Sequence, residues 1–365
     1  MFFVLNIYLC GWLFGVSILI KKIIFLDEYA FYDHPFHIKT RSSQFFIEIL
    51  QTLDKVDVLY SFFDSNNDVI KEGYDLYVFW QIIPSLDILS SVDPKRVIII
   101  PMYDACSTWN HFTWYKYRKF RFISFSTTIH KILLDLRIDS LLVRYVPPVR
   151  KNTTLDLTKL SAFIWRRTNN MNIQKLLNSL ESMGVNRVLI HDSPDSTTCS
   201  KINKNILSMN KMEINYTDGW FDTHEDYLNA LSKCNIFIAP RKLEGIGMGF
   251  LEAMGLGLCV LSPNSPTMSE YIVDGDNGVL FDKFENLSNK TINIRLLSKR
   301  SLETYEYYAQ RWDLEKMSIL SFCTKTPKDS SEGYNHPIRY SACDLKLFVG
   351  RTMDYLKTRL FKSDY

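Results

Sequence analysis

The stretch from Ile236 to Ser262 sets two apolar runs around a glycine-rich turn and two carboxylates, and few architectures accept that order. The first run, Ile236-Phe-Ile-Ala-Pro240, is unbroken, as a strand buried on both faces of a parallel sheet requires. A loop carrying Gly245, Gly247 and Gly249 follows, overlapping the start of a helix expected from about Met248 to Leu256, and Leu258-Cys-Val-Leu261 begins a second strand. Strand, loop, helix, strand is a crossover unit of an α/β sheet. Its glycines allow a ligand to approach the backbone closely, and the helix start offers free N–H groups and a positive dipole end. Such a terminus suits a phosphate or diphosphate.

Glu244 stands on that loop and Glu252 lies more than a turn inside the helix. Carboxylates beside an anion site repel phosphates, so they are better employed accepting hydrogen bonds from hydroxyls. A diphosphate flanked by hydroxyl-rich rings is a nucleotide sugar. The competing reading is an ordinary Rossmann-like unit with glycines that serve packing and glutamates that are solvated, and a glycine-rich turn alone does not separate the two. Further on come a third acidic residue, Glu270, the turn Asp274-Gly-Asp-Asn-Gly278 and a short strand, Val279-Leu-Phe281.

With these residues together, the chain resembles the two-Rossmann-domain (GT-B) glycosyltransferases, in particular the retaining group with paired glutamates in an EG(F/I)G…LEAM segment and the bacterial surface-polysaccharide type. The resemblance runs from about Leu160 to Asp282 and covers the N-terminal half only in outline. It implies two Rossmann-like parallel-sheet domains facing a central cleft, with Glu244 near the reacting carbon of the donor sugar and Glu252 on the ribose hydroxyls. It also implies an arginine at the end of the strand Phe163-Ile-Trp165, best matched by Arg166, with a catalytic role on the leaving diphosphate. The lysine that follows in the family has no close match. Lys175 falls inside the next helix, and Arg167 is the substitute. Arginine suits the role because its charged fork binds phosphate oxygens in pairs; two solvated surface arginines are the bland alternative.

Gly245, Ile246, Gly247, Arg241 and Glu270 complete the expected donor side, with Lys242 beside Arg241 also able to reinforce the anion site. Where relatives place a sugar-contacting histidine, this chain has Tyr103 and Asp104, which stand as acceptor or sugar-side candidates against a structural turn. Glu28, with His34, is a weaker acceptor candidate after the first strand, where the glycine-rich loop of relatives is missing. His111, His130, His191 and His224 show neither metal spacing nor a nucleophile partner and read as core or surface residues. No Asp-x-Asp motif occurs in the expected context, so catalysis is expected to be metal-independent and to need no cofactor beyond the nucleotide-sugar co-substrate.

A chain of 365 residues exceeds one typical core and fits two domains. Its 43 basic and 40 acidic residues nearly cancel, so charge gives no argument for a nucleic-acid partner. Seven cysteines without paired spacing read as reduced, buried thiols in a cytosolic compartment.

Apolar runs alternating with helical periodicity place strands at 22–26, 56–60, 76–80, 97–100, 120–125 and 141–145, and helices at 41–53 and 127–136. Pro147-Pro148 and the polar residues after it read as a linker. Domains are therefore expected at 21–148 (acceptor side) and 149–299 (donor side), the latter with further strands at 160–165, 187–191 and 213–216 and helices near 173–183 and 226–231. C-terminal helices are expected over 300–365. The resemblance implies a C-terminal helix that crosses back onto the N-terminal domain, a role that Leu302–Leu320 could fill. Residues 344–361 form a basic amphipathic candidate that either packs on a domain or meets anionic lipid.

Residues 1–20 carry no charged side chain and precede Lys21-Lys22. Three readings stand: a membrane anchor that leaves the enzyme in the cytoplasm at the inner face of the plasma membrane, an upstream extension, or a buried helix. The function expected is hexosyl transfer from a nucleoside-diphosphate sugar to a saccharide or lipid-linked acceptor in surface-polysaccharide assembly, with the membrane surface as a partner. A nucleotide-sugar epimerase on the same scaffold and a non-catalytic partner subunit are the alternatives.

Overall fold

Two six-stranded sheets, parallel throughout, organise the chain in a computed structural model that describes residues 20–27, 42–60, 72–149, 156–168, 171–193, 202, 211–239, 241–290 and 292–325. The apolar segment before Ile20, Glu28, His34 and the stretch 344–361 lie outside the described residues. The described residues divide into one unit that holds those up to 143 and from 313 onward and a second that holds those from 144 to 312.

In the first unit, β1 (Ile23–Asp27), β2 (Val56–Tyr60), β3 (Leu76–Trp80), β4 (Val97–Ile100), β5 (Arg121–Ser124) and β6 (Ser140–Leu142) lie in the order β2-β1-β3-β4-β5-β6. β1, β3, β4 and β5 are buried along their whole length. That is why β3 and β4 read as continuous apolar runs, since helices cover both faces of such a sheet. The helix α1 (Gln44–Gln51) buries Phe46, Ile47, Ile49 and Leu50, and Phe46 packs 5.4 Å from the Trp80 ring. Two short helices, α2 (Leu86–Leu89) and α3 (Tyr103–Cys106), bracket β4, and α4 (His111–Lys116) and α5 (Thr127–Asp135) bracket β5.

In the second unit, β7 (Ser161–Arg166), β8 (Arg187–Asp192), β9 (Glu213–Asp218), β10 (Ile236–Ile238), β11 (Cys259–Pro263) and β12 (Val279–Phe281) take the order β12-β11-β10-β7-β8-β9. The chain runs outward from β7 to β9, then returns to lay β10 on the other side of β7, with Ile236 to Ile238 opposite Ala162 to Ile164. This reversal of strand order opens a crevice at the carboxyl ends of β7 and β10, where ligands bind in open α/β sheets. Among the unit's helices are α6 (Ile173–Ser182), α7 (His224–Leu231) and α8 (Met248–Gly255).

Strand alternation decides which side chain meets which layer. Ala162 and Ile164 belong to a core with Leu176, Leu177 and Leu180 of α6. Phe163 and Trp165 turn the opposite way, onto Phe237 and Tyr227. The last helix, α9, runs Ile294–Thr324 and is longer than the 302–320 expected. Its residues up to Trp312 belong to the second unit and those from Asp313 to the first. Near its carboxyl end, buried Arg121 donates to the carbonyls of Cys323, in the last turn, and Lys325, just past it, a cation meeting the negative end of the helix.

Candidate functional site

At the switch between β7 and β10 the chain leaves β10 and turns through residues 241–247 into α8. Gly247 caps the helix in the left-handed region, at φ 78°. A Cβ there would stand 2.0 Å from the Phe250 ring, so only glycine fits this entry. No side chain caps the helix. Residues 244–247 are buried, and the N–H groups of Gly245, Ile246 and Gly247 find no acceptor among the described residues. Three successive N–H groups with no acceptor among the described residues are available to one from outside the chain.

Glu244 is 6% exposed, and Arg241 forks onto its carboxylate, with Nε 3.1 Å from Oε1 and Nη2 2.5 Å from Oε2. From below, the Thr267 hydroxyl donates to the Glu244 carbonyl at 2.8 Å. Glu252, 4% exposed, lies on the second turn of α8, its Oε1 2.7 Å from Nε2 of His224 at the start of α7. That hydrogen bond raises the His224 pKa first, burial opposes it, and the Glu252 charge adds to the rise. Tyr227, one turn further along α7, is buried, and its hydroxyl is pushed well above the ordinary tyrosine range by burial and then by the Glu252 charge, with Arg167 countering.

The aromatic surroundings are dense. Trp165 packs at 5.1 Å from Tyr227 and 6.0 Å from Trp220, and Phe221 stacks 4.1 Å from His191. His191 is buried, accepts or donates at Nδ1 with the Thr217 hydroxyl, and is pushed down to about 4 by burial despite Asp192 and Asp218.

The two arginines after Trp165 have different employment. Arg166 is 5% exposed and donates to Asp192 Oδ1 at 2.7 Å, directly across the β7–β8 register. Asp192 also accepts from the Tyr216 hydroxyl at 2.9 Å, which completes a buried network. Arg167 lies with its guanidinium 5.3 Å from the Trp165 ring, and its charge reaches Tyr227 beside Glu252. Lys175 pairs with Glu285 at 3.0 Å, both side chains about half exposed. Glu270, on the turn Met268–Glu270, pairs with Arg144 at 2.7 Å. Tyr103 and Asp104 open α3 in the first unit, where burial, with the Asp104 charge adding to it, pushes the Cys106 thiol up to about 12.

Thus Glu244, Glu252, Gly245, Ile246, Gly247 and Arg241 share one loop and helix, with Arg167 coupled to them through Tyr227. Lys175, Glu270 and the Arg166–Asp192 pair have partners of their own. His224, read from the sequence as a core or surface histidine, is about half exposed and bonds Glu252, a contact the sequence did not indicate. Tyr227 and Thr267 also went unrecognised in the sequence. Among the described residues no group of three or more His, Cys, Asp or Glu side chains gathers as a metal site, and no helix is long and apolar enough to cross a membrane.

Residues 210–312 match the family described as glycosyl transferases group 1. No curated protein matches the chain. Among solved structures, sucrose-phosphate synthase from Thermosynechococcus elongatus is similar at 13% identity and TM-score 0.57, over 82% of this chain and 98% of that one. Anabaena Alr3699/HepE in complex with UDP-glucose is similar at 11% identity and TM-score 0.51, over 82% and 98%. The pneumococcal O-GlcNAc transferase GtfA, in complex with UDP and GlcNAc, gives 13% identity and TM-score 0.48 over 67% of this chain; this chain spans 57% of that protein. The two sheets are those of the GT-B fold with two Rossmann-like domains, and the group 1 match supports glycosyltransferase activity.

Proposed function

We propose that this protein transfers a sugar, with retention of configuration, from a nucleoside-diphosphate sugar to a saccharide or lipid-linked acceptor. The observation that carries the reading is the pair of buried carboxylates, Glu244 and Glu252, on either side of a glycine-led helix start with three N–H groups that meet no acceptor among the described residues. In the transition state the sugar ring gains positive charge while the departing diphosphate gathers negative charge. The N–H groups of Gly245, Ile246 and Gly247 and the dipole of α8 meet the diphosphate, with Arg167 as the cation in place of the buried Arg166. Glu244, held by Arg241, orients the sugar hydroxyls. Glu252 accepts from the ribose, sharing its carboxylate with His224.

A nucleotide-sugar donor agrees with the group 1 match and with the UDP-glucose named for the HepE complex. Dipole, N–H groups and arginine supply the charge that a metal ion would otherwise bring, so the reaction is proposed to run without one. The acceptor class, a role in surface polysaccharide and a place at the inner face of the plasma membrane rest on the sequence alone, on the apolar stretch 1–20 and the basic amphipathic stretch 344–361.

Purified full-length protein incubated with a panel of nucleotide sugars tests the proposal. Release of nucleoside diphosphate from at least one donor is expected, and Glu244→Gln should lower it by roughly 100-fold or more, as losing a positioned polar group at a reacting centre does. Release of the diphosphate from no donor, or a Glu244→Gln variant as fast as the parent, refutes it. Conversion of the donor to a free epimer would redirect the assignment to an epimerase.

A further inference from the structure

Thr267 is a β-branched residue in a backbone conformation that β-branched residues avoid. Its φ of 76° and ψ of −62° are those of the three-residue γ-turn that is rare and strained, and the residue is completely buried. Strain of this kind survives only where the surroundings over-determine it. The compensating contacts are visible. Thr267 Oγ1 donates to the Glu244 carbonyl at 2.8 Å, with the Gly245 carbonyl at 3.4 Å.

Those two carbonyls belong to the peptides that carry the N–H groups of Gly245 and Ile246. Every peptide bond among the described residues is trans, and in a trans peptide the N–H points away from the C=O. Holding the Glu244 carbonyl on the single Thr267 hydroxyl hydrogen therefore turns the Gly245 N–H to the opposite side, and the longer contact to the Gly245 carbonyl leans the next peptide the same way; neither N–H meets an acceptor among the described residues. The same anchor fixes the Glu244 backbone, while Arg241 holds the carboxylate.

We infer that Thr267 is a positioning residue, whose strained backbone presents its hydroxyl so that the 244–246 peptides aim their N–H groups at the anionic part of the ligand. The inference rests on the donor reading for the identity of that ligand, though not for the geometry. A serine keeps the hydroxyl, a valine keeps the shape without it, and a glycine relieves the backbone while also losing it.

The test uses the full chain in two measurements: calorimetric titration with UDP and GDP, and hydrogen–deuterium exchange of the 241–251 segment without nucleotide. Thr267→Val and Thr267→Gly should weaken nucleotide binding roughly tenfold, as losing one hydrogen bond to a buried acceptor does. Both should also exchange faster in that segment, and Thr267→Ser should behave as the parent. Thr267→Gly should keep its melting temperature within about 3 °C, because strain relief offsets the lost bond. A merely structural role predicts instead that affinity follows stability.

Valine and glycine variants that bind and exchange like the parent overturn the inference. Should the parent itself bind neither nucleotide, the donor reading loses its support, and the exchange comparison alone still decides whether Thr267 holds the loop.

Discussion

His191 and His224 sit within a few residues of the same aromatic cluster and are displaced in opposite directions, for different reasons. Burial holds His191 neutral and pushes it down to about 4, whereas the hydrogen bond to Glu252 raises His224 above its ordinary 6.5. By linkage, the lowered histidine contributes stability that is complete above about pH 6.5 and is lost as pH falls toward 4. The raised one contributes stability that is complete below pH 6.5 and is lost as pH rises through its folded-state value. His224→Gln keeps a hydrogen-bond donor but no charge, so the melting temperature of the parent should exceed that of the variant most at about pH 6 and least near pH 8.5. A difference that is flat across this range, or that widens with rising pH, excludes a charged His224–Glu252 pair. The two glutamates were legible from sequence because their chemistry is carried by one continuous motif. The histidine opposite Glu252 was not, since a contact spanning 28 positions depends on where the fold returns α7 to α8. A positive φ at Thr267 is equally silent in the sequence, where threonine is not a residue that advertises it. Arg166 was given the arginine role and Arg167 that of the missing lysine, because both faces of a parallel sheet are buried and alternation alone does not say which side holds the ion-pair partner.

Helix starts position this site, and each is made differently. α8 begins on a left-handed glycine with no side-chain cap. α7 begins on a complete capping box, in which the Thr223 hydroxyl accepts from the Asp226 N–H and the Asp226 carboxylate accepts from the Thr223 N–H. That box fixes the first turn, and His224 is its first residue. Thr223→Ala should cost about 1 kcal/mol, seen as a fall in melting temperature of roughly 2–4 °C. It should also weaken nucleoside-diphosphate binding, because the histidine facing Glu252 loses its mooring. Loss of stability with unchanged affinity would show that α7 merely packs. The Thr-x-x-Asp spacing was present in the sequence, yet the apolar periodicity that locates helices begins only at Tyr227, and the start was placed near Asp226. α9 was underestimated for a related reason. Its charged, weakly amphipathic residues give little periodicity, while no glycine or proline interrupts the chain between Ile292 and Thr324. Strands fared better, because unbroken apolar runs such as Val97–Ile100 have few other uses.

Over the whole molecule, the pattern of two parallel sheets follows from alternating apolar runs and helical stretches, but the order of strands within each sheet does not. The orders β2-β1-β3-β4-β5-β6 and β12-β11-β10-β7-β8-β9 both double back beside the first strand of the unit. In the second unit that reversal is what assembles the candidate site, joining the end of β7, the loop after β10 and the start of α7. The central claim is that this assembly grips a nucleoside diphosphate, with Glu252 on the ribose. Calorimetric titration of the full-length protein with UDP, GDP, ADP, CDP and TDP tests it most directly. At least one should bind with a Kd of about 100 μM or tighter, and Glu252→Ala should weaken that complex roughly tenfold or more by removing a buried acceptor from hydroxyl donors. Binding of none of the five, or equal affinity in the parent and the Glu252→Ala variant, would contradict the account.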